Sequence, residues 1–589
     1  MIHDTNRLSI LAIALAVFCA PASSQNEAAA IKTFRQDFKP KASAIAMKKA
    51  VLSFNPNSPP YRAELNRRNE VYQRWASAAR GLQGHSSEAI ARLVATSWTQ
   101  IDKEVGGLWK RHAKLEKKVD SNYDKLLKAN GGKPIGPGRV RVPGKVISAQ
   151  QVWLASCRES SELQRDITDL SSLQDELREV VKAMRTPVGP RWLLESVVGQ
   201  KKYPMLLKVS AIQSATAIGE SMIAPLTTIL DKANKPDVLA AALFGIGIFG
   251  AKAKASAPKI LPLLDHPDSG VRERAALALQ HMKEGAAIEP MIKLITRESG
   301  QARLRIVAAL EILTGKQFGS NISAWQGWFA REGADYAANK KPLGTGRPSQ
   351  HRKFDEKNYY YGIPQQGKGI IYVIDCSGSM IVDKDRPRWG DPSGMRLPEP
   401  PDDPSNSRSE ASKRELVRAL TGLSSDQVFN IISYNHSATL FKKAMIHATP
   451  KNIKAATKYV RTLPADSSTN IYDAMNLAFT LTGRGSYDKH YDVAFDTIFL
   501  MTDGKPTLQG IGDDDPMNII RGVRQWNALK RVVIHTIAMG EDGIDHRFMR
   551  MLAQENSGSY RRIMKGGKVV RDGAKDENAK AGKGKGGGK

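Results

Sequence analysis

Gly369-Ile370-Ile371-Tyr372-Val373-Ile374-Asp375-Cys376-Ser377-Gly378-Ser379-Met380 is the stretch that decides the fold. Its first six residues form a continuous apolar run rich in β-branched side chains, as expected of a parallel strand buried on both faces. The run ends in an acid and two serines. Further strands read at Val428–Tyr434, Thr497–Met501 and Val532–Ala538. Helical segments intervene at Ser412–Leu423, Asn452–Leu463, Ile471–Leu481 and Met517–Leu529, with a last one at Asp545–Glu555. Strands alternating with helices predict an α/β doubly wound domain, a parallel sheet covered on both faces. Ligands of such sheets gather at the carboxyl ends of the strands. Asp375 and Asp503 each directly follow a strand, so both belong to that edge.

Three separated motifs agree in order and spacing: Asp375-x-Ser377-x-Ser379, Thr469 within Ser467-Ser468-Thr469-Asn470-Ile471-Tyr472-Asp473, and Asp503 within Met501-Thr502-Asp503-Gly504. On these motifs the region 369–563 resembles a von Willebrand factor A (vWA) domain, including its closing helix from Phe548 to Gly558. The resemblance implies a Rossmann-like fold with a metal-ion-dependent adhesion site formed by Asp375, Ser377, Ser379, Thr469 and Asp503. It also implies Mg²⁺ (or Mn²⁺) as the ion and a partner carboxylate at the open coordination position. The residue types suit such an ion, because a hard divalent cation takes oxygen ligands at about 2.0–2.1 Å. The three hydroxyls are neutral donors, and the two carboxylates carry the charge. Two departures from the family pattern stand out. Ser467-Ser468 occupy positions where the family commonly has glycines. An insert of 28 residues, 381–408, carries six prolines, six acids and five bases and reads as a flap beside the metal. Cys376 alternates away from Asp375 and is expected in the core.

Upstream, the chain reads as all helical. From 61 to 185, Ile101, Val105, Leu108, Leu115, Val119 and Leu126 recur at helical spacing, as do Leu163, Ile167, Leu170, Leu177, Val180 and Met184. The glycines and prolines between Asn130 and Ser148 break the pattern, which fits either two long helices folded back on each other or a dimeric coiled coil. No strand precedes the Gly131–Gly138 run and no Gly-Lys-Ser/Thr follows it, so it is read as a turn, not a phosphate loop. From 186 to 336 an internal repeat appears. Val271–Leu279 aligns 33 residues after Val238–Ile246 and 33 before Leu304–Ile312. Each unit is a helix of small residues, a turn and a second helix opened by Pro225, Pro258 or Pro290. The units resemble HEAT repeats, an α-solenoid in which neighbours stack to bury a common core; a plain helix bundle is the alternative. Trp325, Trp328 and Phe329 read as the buried face of a closing cap, and 337–368 as a linker.

The ends and the composition bound the setting. Arg7 and the apolar run Leu8–Ala20, followed by Ala20-Pro21-Ala22, form the pattern of a secretory signal peptide over 1–24. Thirteen apolar residues are too few for the roughly 20 a membrane-spanning helix needs. A flexible segment is expected over 25–60 and a disordered Lys/Gly-rich tail over 564–589. The vWA-after-repeats layout behind a signal resembles a class of secreted bacterial proteins, implying a secreted, periplasmic or cell-envelope location. A formal charge of +29 over 589 residues favours anionic partners, and the tail from Lys565 contributes +5 of it, which suggests contact with an anionic envelope polymer. Nothing resembles a nucleic-acid recognition module. No His-Glu-x-x-His, Gly-x-Ser-x-Gly or Walker A motif is present, and Gly504-Lys505-Pro506-Thr507 lacks the upstream glycine of a phosphate loop. The sequence therefore predicts a non-enzymatic adhesion or scaffold protein that captures a protein ligand through a metal. The rival is a structural repeat scaffold with a metal-independent vWA domain. Cys157 and Cys376 are expected as free buried thiols.

Overall fold

The seven residues of β3, Gly369–Asp375, are all buried, as their β-branched and aromatic side chains require. The structure, a computed structural model, describes residues 24–48, 58–131, 143–233, 235–348, 358–381, 407–465, 468–481, 495–507, 515–527, 530–540, 543–564 and 569–571. It divides into two units: residues 1–107 with 166–233, and residues 108–165 with 234–589.

In the second unit, β3 lies at the centre of a mixed sheet. Its parallel neighbours are β4 (Val428–Tyr434) and β7 (Thr497–Thr502), and β7 is followed by β8 (Val533–Met539) and β9 (Tyr560–Ile563), both parallel. The short strands β5 (Ala438–Leu440) and β6 (Ile446–His447) pair antiparallel with β4. These short edge strands, like β9, carry too few alternating residues to stand out in the sequence. One face of the sheet is covered by α12 (Arg408–Thr421) and α13 (Pro450–Arg461). Leu416, Leu420 and Val460 there join Tyr372, Ile374, Phe429 and Phe499 in one core cluster, with Cys376 among them. Helix α14 (Ile471–Thr480) packs against β3 and β4, and α15 (Pro516–Trp526) packs on α14. Helix α16 (His546–Glu555) packs on β8. Each of these helices starts at a side-chain cap: Ser407, Thr449, Asn470, Asp515 or Asp545 accepts a hydrogen bond from an N–H of the first turn.

The repeats follow the 33-residue period. Helices Pro236–Ile248, Ser269–His281 and Gly300–Thr314 pack in succession. One expectation fails. The second helix of the 250–265 unit is broken into a 3₁₀ turn, a four-residue helix Ala257–Ile260 and another 3₁₀ turn. Pro258 and Pro262 lie four apart, and a proline inside a helix removes a donor and clashes with the preceding turn. Trp325 and Trp328 are buried, with Phe318 edge-on to Trp325.

The two long helices are Glu88–Ala129 and Gly144–Lys182. In the second unit Lys118 pairs with Glu159, and Asn122 Nδ2 donates to Ser156 Oγ at 3.3 Å. In the first, Gln174 donates to Asp102. Partners rise along one helix as they fall along the other, so the pair is an antiparallel hairpin. The first unit also holds Pro59–Arg80, whose Arg68 guanidinium is buried between Asp166 and Asp169 at 3.3 and 2.7 Å. Helix Met205–Ile218 belongs there too.

Three expectations about irregular segments need correction. Within 25–60, helix Ser24–Asp37 and the short helix Ala42–Ile45 are ordered because Phe34 and Phe38 stack and are buried. Within 337–368, Tyr359–Tyr360 and Ile363–Pro364 form a hairpin, held by burial of Tyr360 and Ile363. Within 564–589, Val569–Arg571 pairs antiparallel with β9, completing the sheet edge. The expected signal peptide, most of the insert and most of the expected tail fall on residues 1–23, 382–406 and 572–589, which lie outside the described residues. Among the described residues no helix is long and apolar enough to cross a membrane.

Candidate functional site

Strand register builds the site. Asp375 ends β3 opposite Tyr434 of β4, and Ile374 pairs with Met501 of β7, so Thr502 and Asp503 arrive beside Asp375. The serines follow β3 at once, and Gly378–Ile381 is a 3₁₀ turn that folds Ser379 back toward the strand ends. Both acids are buried, Asp375 at 2% exposure and Asp503 at 0%.

Each carboxylate oxygen has a protein partner. Asp375 Oδ1 accepts from the Ser377 N–H at 2.8 Å, and Oδ2 accepts from the hydroxyls of Thr502 at 2.6 Å and Tyr434 at 3.3 Å. Asp503 Oδ1 accepts from the Ser379 hydroxyl at 2.6 Å, and Oδ2 from Arg408 Nη1 at 2.9 Å. The Ser377 and Ser379 hydroxyl oxygens are 3.0 Å apart. Burial, then the charge of Asp503, pushes the Asp375 carboxyl up to about 6, while the hydrogen bonds from Ser377 and Thr502 pull it back.

Thr469 joins from the loop before α14. Its N–H donates to Thr507 Oγ1 at 2.7 Å and its carbonyl accepts from the Thr507 N–H at 2.8 Å, which fastens the loop to the segment after Asp503. The bare Cα of Gly504 shows where the hydroxyls meet. A Cβ at Gly504 would lie 3.3 Å from Thr469 Oγ1 and 3.8 Å from Ser379 Oγ. All five residues singled out in the sequence therefore come together, and a small space is left beside two of the hydroxyls. Three hydroxyls, two carboxylates and that space fit a hard divalent cation. Ser467 lies outside the described residues.

Sequence reasoning missed Arg408, which is 1% exposed and forms a buried ion pair with Asp503. It closes the insert and opens α12, and a single arginine there carries no pattern that singles it out. Gly540, at φ 112°, makes room for it: a Cβ there would sit 2.8 Å from Arg408 Nη2. Thr502 and Tyr434, which hold Asp375, carry no signal of that role either: one lies inside the Asp503 motif and the other ends a strand.

The long-helix hairpin of the same unit borders the Thr469 loop. Trp109 stacks on Tyr472 with ring centres 6.2 Å apart, and Tyr123 and Trp153 both meet His436.

With the geometry in place, comparison with known proteins finds two families. Residues 223–311 match HEAT repeats and residues 402–562 match the von Willebrand factor type A domain. The second match includes Thr469 and Asp503 and begins after the Asp375 strand. A region of 198 residues is 29% identical to inter-alpha-trypsin inhibitor heavy chain H4 of Bos taurus, covering 33% of this chain and 18% of that protein. A region of 206 residues is 28% identical to inter-alpha-trypsin inhibitor heavy chain H6 of Homo sapiens, covering 34% of this chain and 14% of that one. The chain thus spans less than a fifth of these relatives. Among solved structures, a von Willebrand factor type A protein from Catenulispora acidiphila is 18% identical, with a TM-score of 0.25, covering 33% of this chain and 38% of that one. The chain carries HEAT repeats followed by a vWA domain.

Proposed function

We propose that the protein is a non-enzymatic adhesion or scaffold protein that binds a protein ligand through Mg²⁺ (or Mn²⁺) held by Asp375, Ser377, Ser379, Thr469 and Asp503. The single observation that carries this reading is the convergence of those five side chains at the carboxyl edge of the sheet, with Gly504 leaving space beside Thr469 Oγ1 and Ser379 Oγ. A bound dication would supply a positive centre for a carboxylate of the ligand. The chain's own part is to prepare the donors. Thr502 and Tyr434 orient Asp375, Arg408 fixes Asp503, and Thr507 holds the Thr469 loop. The helical hairpin and repeats serve as the frame that presents this edge. The signal-like start at Arg7–Ala22 supports a secreted, periplasmic or envelope setting, and the basic tail supports contact with an anionic polymer there.

One observation favours a second reading, a scaffold whose vWA domain needs no metal: Arg408 already neutralises Asp503 inside the protein. Binding of envelope proteins to the full chain, measured in millimolar Mg²⁺ and in EDTA, separates the two. Capture lost in EDTA and restored by Mg²⁺ supports the first; capture unchanged by EDTA supports the second.

A further inference from the structure

We propose that His112, Glu116 and Asp473 form a second, separate metal site that takes a borderline divalent ion of the Zn²⁺ type. His112 and Glu116 are four residues apart on the helix Glu88–Ala129, so they stand on one face a turn apart. Asp473 sits in the first turn of α14. One ligand atom from each of the three lies within 4.8 Å of the others. In a tetrahedron, bonds of about 2.0–2.2 Å place donors about 3.3–3.6 Å apart, so closure needs the side chains to draw together by up to about 1 Å.

Burial and unmet bonding capacity point to a cation. His112 is 3% exposed and Asp473 8% exposed. Asp473 Oδ2 accepts from Asn470 Nδ2 at 2.7 Å, while Oδ1, also buried, accepts no hydrogen bond. A buried carboxylate oxygen left unmatched is costly, and a cation relieves it. Ser160 supports the other two residues: its hydroxyl lies 3.2 Å from His112 Nε2 and donates to Glu116. His112 Nε2 is itself 3.7 Å from Glu116 Oε1, so the Ser160 hydroxyl faces the same donor atoms and would turn aside or join them as an ion binds. The surroundings are electronegative, since Glu116 helps to raise both the Asp120 carboxyl, to about 6, and the Cys157 thiol, to about 12, in each case after burial.

The donor set chooses the ion. An imidazole nitrogen with two carboxylate oxygens suits Zn²⁺, whereas an all-oxygen set suits Mg²⁺. Among the described residues three protein ligands are at hand, which leaves a position for water. Such an ion would tie the hairpin to α14, four residues after Thr469. Asn470 lies between them and also donates to the His436 carbonyl at 3.2 Å. Any influence of this tie on ligand capture rests on the function proposed above; the binding of the ion does not.

The test is a Zn²⁺ titration of the chelator-stripped full chain, followed by calorimetry and by the visible bands of substituted Co²⁺. The Asp375→Ala chain should still bind one Zn²⁺ at this site. His112→Gln in that background should remove it. If His112→Gln does not fold by far-ultraviolet circular dichroism, Glu116→Gln takes its place. No Zn²⁺ bound by Asp375→Ala, or equal binding with and without the His112 or Glu116 substitution, overturns the site and leaves a plain ion-paired triad. Failure of Mg²⁺-dependent capture with this Zn²⁺ site intact would count against the proposed function alone.

Discussion

Replacing Arg408 with Gln removes the one cation hydrogen-bonded to the carboxylate pair among the described residues. The guanidinium and its partner Asp503 are buried, with Nη1 2.9 Å from Oδ2. Glutamine leaves Asp503 charged, beside a second buried acid, with the Ser379 hydroxyl still donating to its other oxygen. Removing one member of a buried ion pair costs about 3–5 kcal/mol. An exposed pair such as Arg524–Glu555 is worth about 0–1 kcal/mol. Several domains make whole-chain denaturation a poor gauge. Hydrogen exchange at the amides of β3 and β7 reads the domain directly. At about 1.4 kcal/mol per decade, protection should fall by roughly two to four decades in EDTA. Mg²⁺ should then restore more protection in the variant than it adds to the wild type, because the ion no longer meets a resident positive charge. A hundredfold excess over the dissociation constant returns about 2.7 kcal/mol. A loss under one decade in EDTA, or a Mg²⁺ effect no larger than in the wild type, would refute the reasoning.

Asp375→Ala removes the acceptor of three hydrogen bonds as well as a charge. Exchange protection of its β3 and β7 amides should be insensitive to millimolar Mg²⁺, whereas that of the wild type should rise modestly. Gly504→Ala places a methyl 3.3 Å from Thr469 Oγ1, and Mg²⁺ affinity measured by calorimetry should drop about tenfold, ~1.4 kcal/mol, with the fold kept. His535 is buried against Phe499, accepts the Ser559 N–H at 2.9 Å on Nδ1, and has its pKa lowered to about 3 by burial and then by Arg561. The unfolded chain, with a histidine near 6.5, binds more protons between those values. Its contribution to stability is therefore full above pH 6.5 and is lost as pH falls toward 3, by about 1.4 kcal/mol per unit. Exchange protection of β8 at pH 7 and pH 5 should show this slope, and His535→Gln should flatten it.

The sheet core and the two acids were legible because each obeys a local rule, whereas Ser377, Ser379 and Thr469 were singled out by the resemblance to a vWA domain. Val428–Tyr434 has the observed bounds, β7 differs by one residue at one end and β8 by one residue at each end. An apolar run ending in an acid puts that acid at the strand's carboxyl edge whatever else the chain does. The residues that complete the site obey no such rule. Arg408 reaches Asp503 across 95 positions, and His112 meets Asp473 across more than 300, so only the folded chain joins them. Short edge strands such as Ala438–Leu440 and Val569–Arg571 form because a neighbour offers unpaired backbone groups, not because their own side chains alternate. The helix at Ser24–Asp37 was hidden by polar composition, since only Phe34 and Phe38 anchor it.

The most direct test of metal-dependent capture is the number of Mn²⁺ ions held by the full chain, counted by loss of the free-ion signal in electron paramagnetic resonance. The wild type should bind one more equivalent than the Asp375→Ala chain, and Mg²⁺ should compete for that equivalent. Equal stoichiometry in the two proteins would contradict the account.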